Sequence, residues 1–164
     1  IPQDLNQLIE ETVSLLEHEL MLRGIKVIRN YSSDIPLVFL EPAQIKQVFI
    51  NLILNAHEAM SKGGELRITT ETDGDFGVAI KFSDTGCGIK RENIDKIFNV
   101  FFTTKEASGG AGLGLAVSQE IVKGCKGTIG VESVEDKGAV FTIRLPLPGK
   151  SSNTKSKAEA SKEI

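Results

Sequence analysis

Two asparagines and a glutamate recur at helical spacing near the middle of the chain, where their side chains could contact one ligand. Asn51, Asn55 and Glu58 stand at positions i, i+4 and i+7, which on a helix places them along one stripe. Asparagine is a poor interior helix residue because its amide competes for backbone hydrogen bonds. An amide oxygen is a hard ligand that suits Mg²⁺. The stripe is therefore a candidate contact for a metal-nucleotide; the alternative is a pair of ordinary exposed polar positions.

A lone acid followed by glycines is the second candidate. Asp84 comes after a strand-like run and before the turn formed by Gly86, Cys87 and Gly88. Its carboxylate could accept a hydrogen bond from the amino group of a base, while the glycines leave room for a flat ring. The alternative is a turn-starting aspartate that makes a local bond to its own backbone.

A glycine-rich run, residues 109–115, precedes a helical pattern and is the third candidate. Glycines let backbone N–H groups approach a ligand, and a helix N-terminus favours an anion. Lys105 lies just upstream and could reach a terminal phosphate as a point charge; the alternative is a solvated loop lysine. The run is neither a P-loop, because no Gly-Lys-Ser/Thr follows, nor a dinucleotide fingerprint, because no strand precedes it.

The helix that must position the asparagine stripe has a clear start signal. Glu41 stands at the cap position and Pro42 at the first helical position, where its missing N–H costs nothing. Apolar residues then recur at helical spacing and predict one buried face. These residues are Ile45, Val48, Leu52, Ala56 and Ala59.

The remaining patterns predict an α+β fold, a two-layer sandwich with a mixed, mostly antiparallel sheet covered on one face by helices. The first helix begins after Asp4 or Asn6 and is predicted to bury a face that includes Leu15 and Glu19. A later helix is predicted to bury a face that includes Val117. We expect residues 1–148 to form one domain and 149–164 a disordered tail. Predicted segments are a helix within residues 1–24 that stops at Gly24, helices 42–60 and 113–123, a short helical piece at 91–98, and strands 25–30, 65–72, 76–83, 128–133 and 139–145.

Composition restricts the class of protein. The 164 residues suit one domain, and the formal charge of −3 gives no strong field toward nucleic acid or membrane. No apolar run approaches the roughly 20 residues that span a bilayer. The two cysteines, Cys87 and Cys125, fit a reducing compartment and are too few for a zinc site. We therefore expect a cytoplasmic domain without nucleic-acid or direct membrane contact.

Four motifs stand in order along the chain. They are Asn51-Leu-Ile-Leu-Asn55-Ala56, Asp84-x-Gly86-x-Gly88-Ile89, Phe98-x-x-Phe101-Phe102-Thr103-Thr104-Lys105 and Gly110-x-Gly112-Leu113-Gly114-Leu115. Together they resemble the N, G1, F and G2 boxes of the ATP-binding catalytic domain of sensor histidine kinases, in their nitrogen-regulation-type branch. That family shares the Bergerat fold with the DNA gyrase B subunit, MutL and a heat-shock chaperone. The resemblance covers nearly all of residues 4–147.

Residue by residue, the resemblance implies a site for ATP and Mg²⁺. Asn55 would coordinate the metal with Asn51 close to it, and Asp84 would receive the adenine amino group. Phe98, Phe101 and Phe102 would brace a flexible lid. The remaining ATP-binding residues implied are Gly86, Gly88, Ile89, Thr103, Thr104, Lys105, Gly110, Gly112, Leu113, Gly114 and Leu115.

The implied activity is donation of the γ-phosphate to a histidine on a separate phosphoacceptor hairpin of the parent kinase, which is membrane-attached or cytosolic and serves a response regulator. The isolated domain would be a monomer. Gyrase-like ATPases place a glutamate base one turn before the metal asparagine; here that position is Asn51, whose amide has no useful basicity. The alternative on the same fold is a nucleotide-dependent regulatory module or a serine kinase of the anti-sigma type.

Three further positions bear on this prediction. His18 superficially echoes a phosphoacceptor motif, but its helix joins directly to the first predicted strand, so the phosphoacceptor is predicted to be absent and no catalytic residue is assigned in this chain. Glu58 stands where many members carry a basic residue; it can point to solvent or act through magnesium or water. Residues 124–127 replace a His-Gly-Gly that is frequent in the family, and we expect altered loop packing there.

Overall fold

The computed structural model describes residues 1–74, 77–100 and 114–147. Its elements are helices of up to 18 residues and strands of up to 10 residues. They are β1 (Pro2–Gln3), α1 (Leu5–Leu22), β2 (Ile25–Tyr31), β3 (Val38–Phe39), α2 (Pro42–Ala59), β4 (Gly64–Asp73), β5 (Gly77–Asp84), a 3₁₀ turn (Ile94–Lys96), α3 (Gly114–Gly124), β6 (Thr128–Val134) and β7 (Gly138–Pro146).

The five long strands form one sheet in the order β2-β4-β5-β7-β6. Strands β2 and β4 are parallel, and every other neighbouring pair in this sheet is antiparallel, which confirms the mixed, mostly antiparallel sheet. Helix α2 lies in the crossover that joins the two parallel strands, as a parallel pair requires. The small antiparallel pair of β1 with β3 was not predicted, because two-residue strands leave no periodic signal.

The start signals of the first two helices act as predicted. The Asp4 side chain caps α1 by accepting from the Gln7 backbone N–H at 3.2 Å. The Glu41 side chain accepts from the Ala43 N–H at 3.4 Å, with Pro42 at the first helical position of α2. Each cap satisfies one of the N–H groups that a helix start leaves without an intrahelical partner.

The core lies between one face of the sheet and the helices. Phe82 of β5 packs against Phe49 of α2 with ring centroids 5.8 Å apart. On the opposite face, ion pairs join Lys81 to Glu71 at 2.9 Å and Arg144 to Asp73 at 2.7 Å. The helices therefore cover one face, as predicted. Buried sheet residues facing them include Leu66, Ile68, Ile80, Phe141, Ile143 and Leu145.

Two details of the predicted helix faces were wrong. Leu15 is 73% exposed and Glu19 is exposed, whereas Val13 is fully buried. On α3 the buried residues are Ala116, Ser118 and Val122, whereas Val117 is 41% exposed. In each case the periodicity predicted the helix correctly but misplaced part of its buried face.

A polar cluster lies between α1 and β2. Arg29 contacts Glu10 at 2.9 Å and Glu17 at 3.1 Å, and the Tyr31 hydroxyl donates to Glu10 at 2.9 Å. The hydrogen bond from Arg29 holds the pKa of Glu10 below its usual range. Burial, and secondly the hydrogen bond to Glu10, raise the pKa of Tyr31 well above its ordinary value. Among the described residues, no helix is long and apolar enough to cross a membrane.

Candidate functional site

Asp84 is the last residue of β5 and is only 6% exposed. Its Oδ1 accepts from the Gly86 N–H at 2.9 Å, which is the local turn bond that the sequence left open as an alternative. The same oxygen accepts from the Ala139 N–H of β7 at 3.3 Å. Two backbone donors from different segments thus fix the orientation of the carboxylate, so a ligand would meet an acid that is already positioned.

The turn after Asp84 lies directly against the end of α2. A Cβ placed on Gly86 would stand 2.5 Å from the Ala59 carbonyl oxygen, so only glycine permits this approach. The same oxygen accepts from the Cys87 N–H at 3.0 Å. The acid and the C-terminal end of α2 are therefore held together by backbone contacts.

The other side of this turn is attached to the hairpin of β6 and β7. Gly88 has φ +69, a conformation that side chains rarely adopt. The Cys87 carbonyl accepts from the Asp136 N–H at 2.7 Å. The Ile89 N–H donates to the Ser133 hydroxyl at 2.8 Å. The sequence did not predict this role of Ser133. Exposed and half-buried residues alternate along β6, and nothing in that pattern distinguishes this serine from its neighbours.

Asn51 joins α2 to α3. Its Nδ2 donates to the Gly114 carbonyl and to the Ser118 hydroxyl, both at 3.0 Å. Its Oδ1 accepts from Gln47 Nε2, also at 3.0 Å. Gly114 opens α3 at the end of the predicted glycine-rich motif. One of the two stripe asparagines is thus engaged with the start of the next helix, which the spacing could not reveal.

Asn55 lies on α2 between these two attachments. Each step of four residues advances an α-helix by roughly 6 Å and turns it by only about 40°. Asn51, Asn55 and Ala59 therefore follow one side of α2 over roughly 12 Å. Asn55 is half-buried, and Glu58, which continues the predicted stripe, is exposed. The structure brings the two asparagines, the Asp84 turn and the start of α3 together along this side of one helix.

The structure describes some of the other predicted site residues but not all of them. Leu115 is half-buried in the first turn of α3, and Phe98 packs partly buried against the core. Several predicted residues lie outside the described residues, so their predicted roles stay predictions. These are Phe101, Phe102, Thr103, Thr104, Lys105, Gly110, Gly112 and Leu113.

A separate hollow of about 510 Å³ lies between the ends of α1 and α2. Arg23 lines this hollow and donates to the His57 carbonyl at 3.0 Å. His57 follows Asn55 by two residues, so its side chain points to nearly the opposite side of α2. The hollow is therefore distinct from the candidate site. Its lining residues are Glu19, Leu22, Arg23, His57, Ser61 and Lys62.

The donor chemistry fits a nucleotide-bound magnesium better than a metal held by the protein alone. Within residues 1–74, 77–100 and 114–147, no group of three or more histidine, cysteine, aspartate and glutamate side chains could hold a metal ion. Asn55 offers a neutral, hard oxygen of the kind that Mg²⁺ accepts as one ligand beside phosphate oxygens and water. The residues present thus fit a metal that arrives with its phosphates.

A family model for histidine kinase-, DNA gyrase B-, and HSP90-like ATPases matches residues 41–149, which include α2, the Asp84 turn and α3. The chain belongs to this ATPase family. The catalytic domain of histidine kinase ThkA, in a nucleotide-free form, is 34% identical with a TM-score of 0.79; the match covers 89% of this chain and 96% of that one. Within the family, the chain is therefore a catalytic domain of the histidine kinase type.

Longer relatives carry the same domain. Sporulation kinase E of Bacillus subtilis (strain 168) is 39% identical over 86% of this chain, and the match spans 19% of that protein. Full-length ShkA in complex with AMPPNP is 25% identical with a TM-score of 0.82, over 93% of this chain and 32% of ShkA. ThkA in complex with the response regulator protein TrrA is 31% identical with a TM-score of 0.75, over 89% of this chain and 41% of ThkA.

Proposed function

We propose that this domain binds Mg-ATP along α2 and donates the γ-phosphate to a histidine on a separate phosphoacceptor hairpin in two-component signalling. The observation that carries the proposal is the attachment of the Asp84 turn and of the start of α3 to one side of one helix. The Asp84 turn contacts Ala59, and the start of α3 contacts Asn51. A nucleotide lying along the intervening roughly 12 Å of helix would contact both segments at once.

The proposed roles follow the chemistry of each group. Asp84, buried and oriented by two backbone N–H groups, accepts from the adenine amino group, and Gly86 lets the turn after Asp84 approach the end of α2. Asn55 offers its amide oxygen to Mg²⁺. Magnesium, when bound, supplies charge neutralisation on the phosphates. By resemblance alone, Lys105 and the residues from Gly110 to Leu113 contact the phosphates.

Asn51 favours a kinase over a water-activating ATPase. The resemblance described above implies that gyrase-like ATPases carry a glutamate base at this position. Here both hydrogens of the Asn51 amide group have protein acceptors, Gly114 and Ser118, and an amide cannot take a proton from water at neutral pH. Phosphoryl transfer to a histidine needs mainly positioning and charge neutralisation, which this site can supply without a base.

The test is transfer between two separately made polypeptides. The domain is mixed with radiolabelled Mg-ATP and the phosphoacceptor hairpin of the same kinase, and label on the hairpin is followed. We expect acid-labile, alkali-stable label that disappears when the hairpin histidine is replaced by glutamine or when Asn55→Ala is used. Brisk ATP hydrolysis without transfer would contradict the proposal, as would acid-stable label on a serine, the product expected of a kinase of the anti-sigma type.

The partners and location follow from this activity. ThkA has been seen in complex with a response regulator, and we propose that a response regulator likewise receives the phosphate from this chain's kinase. Because the reaction needs ATP, we propose a cytoplasmic position for the domain. The regulatory-module alternative is not favoured, since the similar proteins described above are kinases.

A further inference from the structure

Ser118 is a polar residue in the most buried part of α3. It is 0% exposed. Its hydroxyl donates to the Gly114 carbonyl at 2.8 Å and accepts from Asn51 Nδ2 at 3.0 Å. The same Nδ2 also donates to the Gly114 carbonyl at 3.0 Å. Three groups from two helices thus form a closed triangle of hydrogen bonds around the first residue of α3.

This triangle holds a glycine in place. Gly114 is the first residue of α3, and glycine loses more conformational freedom on folding than any other residue. A Cβ on Gly114 would contact the Asn51 side chain at an ordinary 3.7 Å, so close packing alone does not require glycine there. The side chains of Asn51 and Ser118 therefore supply the direct hydrogen bonds that join α2 to the start of α3.

We propose that Ser118 and Asn51 are positioning residues that keep the N-terminus of α3 at a fixed place beside Asn55. The start of α3 can then contact the phosphates while Asn55 contacts the metal. This inference rests on the proposed function. It assigns Asn51 to α3 and leaves the metal to Asn55, in contrast to the sequence prediction that paired the two asparagines at the metal. Neither Ser118 nor Asn51 takes a proton or forms a bond in the reaction.

The test measures ADP affinity by calorimetry, with Mg²⁺ and again with excess chelator, for Ser118→Ala, Asn51→Leu and the double variant. We expect each single variant to bind ADP about tenfold more weakly in both conditions. The double variant should lose little more than either single one, because both changes break the same triangle.

Thr12→Val is the matched control. Thr12 is also fully buried, and its hydroxyl donates to the carbonyl four residues earlier, Leu8, at 2.9 Å. It lies on α1, away from the candidate site. We expect Thr12→Val to lower the melting temperature as Ser118→Ala does while leaving ADP affinity unchanged. Equal effects of the two variants on affinity would show that Ser118 is only a stability residue and would overturn the proposal.

Two other results would overturn it. A loss for Asn51→Leu that appears only with Mg²⁺ would make Asn51 a metal ligand. Additive losses in the double variant would mean that Asn51 and Ser118 act separately. If the unaltered domain bound no ADP, the proposed function itself would fail and this inference with it. Normal ADP binding by every variant would refute the positioning role alone.

Discussion

Replacing Asp84 by asparagine tests the proposed base contact most directly. Asparagine has nearly the same shape, and its amide oxygen can still accept from the Gly86 and Ala139 N–H groups that now bond Oδ1. In that orientation its NH₂ group stands where the second carboxylate oxygen stood. The adenine amino group, which needs an acceptor, would then face the NH₂ group of the asparagine, which is a donor.

The size of the effect follows from the kind of bond lost. A hydrogen bond to a charged group contributes about 1.5–3 kcal/mol, which corresponds to roughly 10- to 150-fold in the dissociation constant of ADP. Guanine carries a carbonyl where adenine carries its amino group, so the new NH₂ group would suit GDP. The ratio of GDP to ADP affinity should therefore rise. Folding stability should change less than ADP affinity does, since the two backbone bonds to Oδ1 keep an acceptor.

Calorimetry with ADP and with GDP, each with Mg²⁺, measures this ratio, and thermal melting measures the stability. Asp73→Asn is the control, because Asp73 is also an acid at a strand end but lies at the opposite end of the β4–β5 pair and contacts Arg144. It should alter neither nucleotide affinity. Equal weakening of ADP and GDP by Asp84→Asn, or a loss of affinity that merely follows the loss of melting temperature, would refute the base contact.

Three other predictions concern the site and the α1–β2 cluster. Asn55→Ala should make ADP binding insensitive to Mg²⁺, because its amide oxygen is the proposed ligand; titration with and without chelator measures this, and an unchanged dependence would contradict it. ADP should slow the reaction of exposed Cys87 with a thiol reagent but not that of Cys125, whose pKa is raised by burial; labelling followed by mass spectrometry separates them. Tyr31 is the single tyrosine and there is no tryptophan, so phenolate absorbance reports it alone. The pKa of Tyr31 in the folded protein lies above the ordinary 10.0. Its contribution to stability is therefore complete below about pH 10 and is lost as pH rises through the raised pKa. Glu10→Gln should lower that pKa, and an ordinary tyrosine titration in the native protein would refute the role of the cluster.

Local sequence signals predicted the elements well where a single residue determines the geometry. Glu41 with Pro42 defined the start of α2, and the strand pairs followed from short turns. The parallel pairing of β2 with β4 was not predicted, because their contact joins segments separated by a whole helix and no local pattern records such a partner. The exposed Leu15 was misassigned for a related reason, since periodicity gives the direction of a stripe and not its width.

The candidate site was predicted in its groups and less well in their contacts. The glycines after Asp84 were predicted to leave room for a flat ring, whereas the structure shows that Gly86 is required by the close approach of the Ala59 carbonyl. Spacing could not distinguish an asparagine that faces a ligand from one that faces another helix, so the engagement of Asn51 with α3 emerged only from the coordinates. Ser118 gave no signal, since an isolated serine within an apolar helix commonly bonds its own backbone.

The crossover position of α2 has a consequence for how this domain can move. The helix is joined to β2 through residues 32–41 and to β4 through residues 60–63, and β2 pairs along its whole length with residues 64–70 of β4. Local opening of α2 would therefore disturb the sheet on both sides of it. We expect the amide hydrogens of α2 to exchange with solvent only through global unfolding, at rates that follow overall stability, so that Asn55 remains in place whether or not a nucleotide is present.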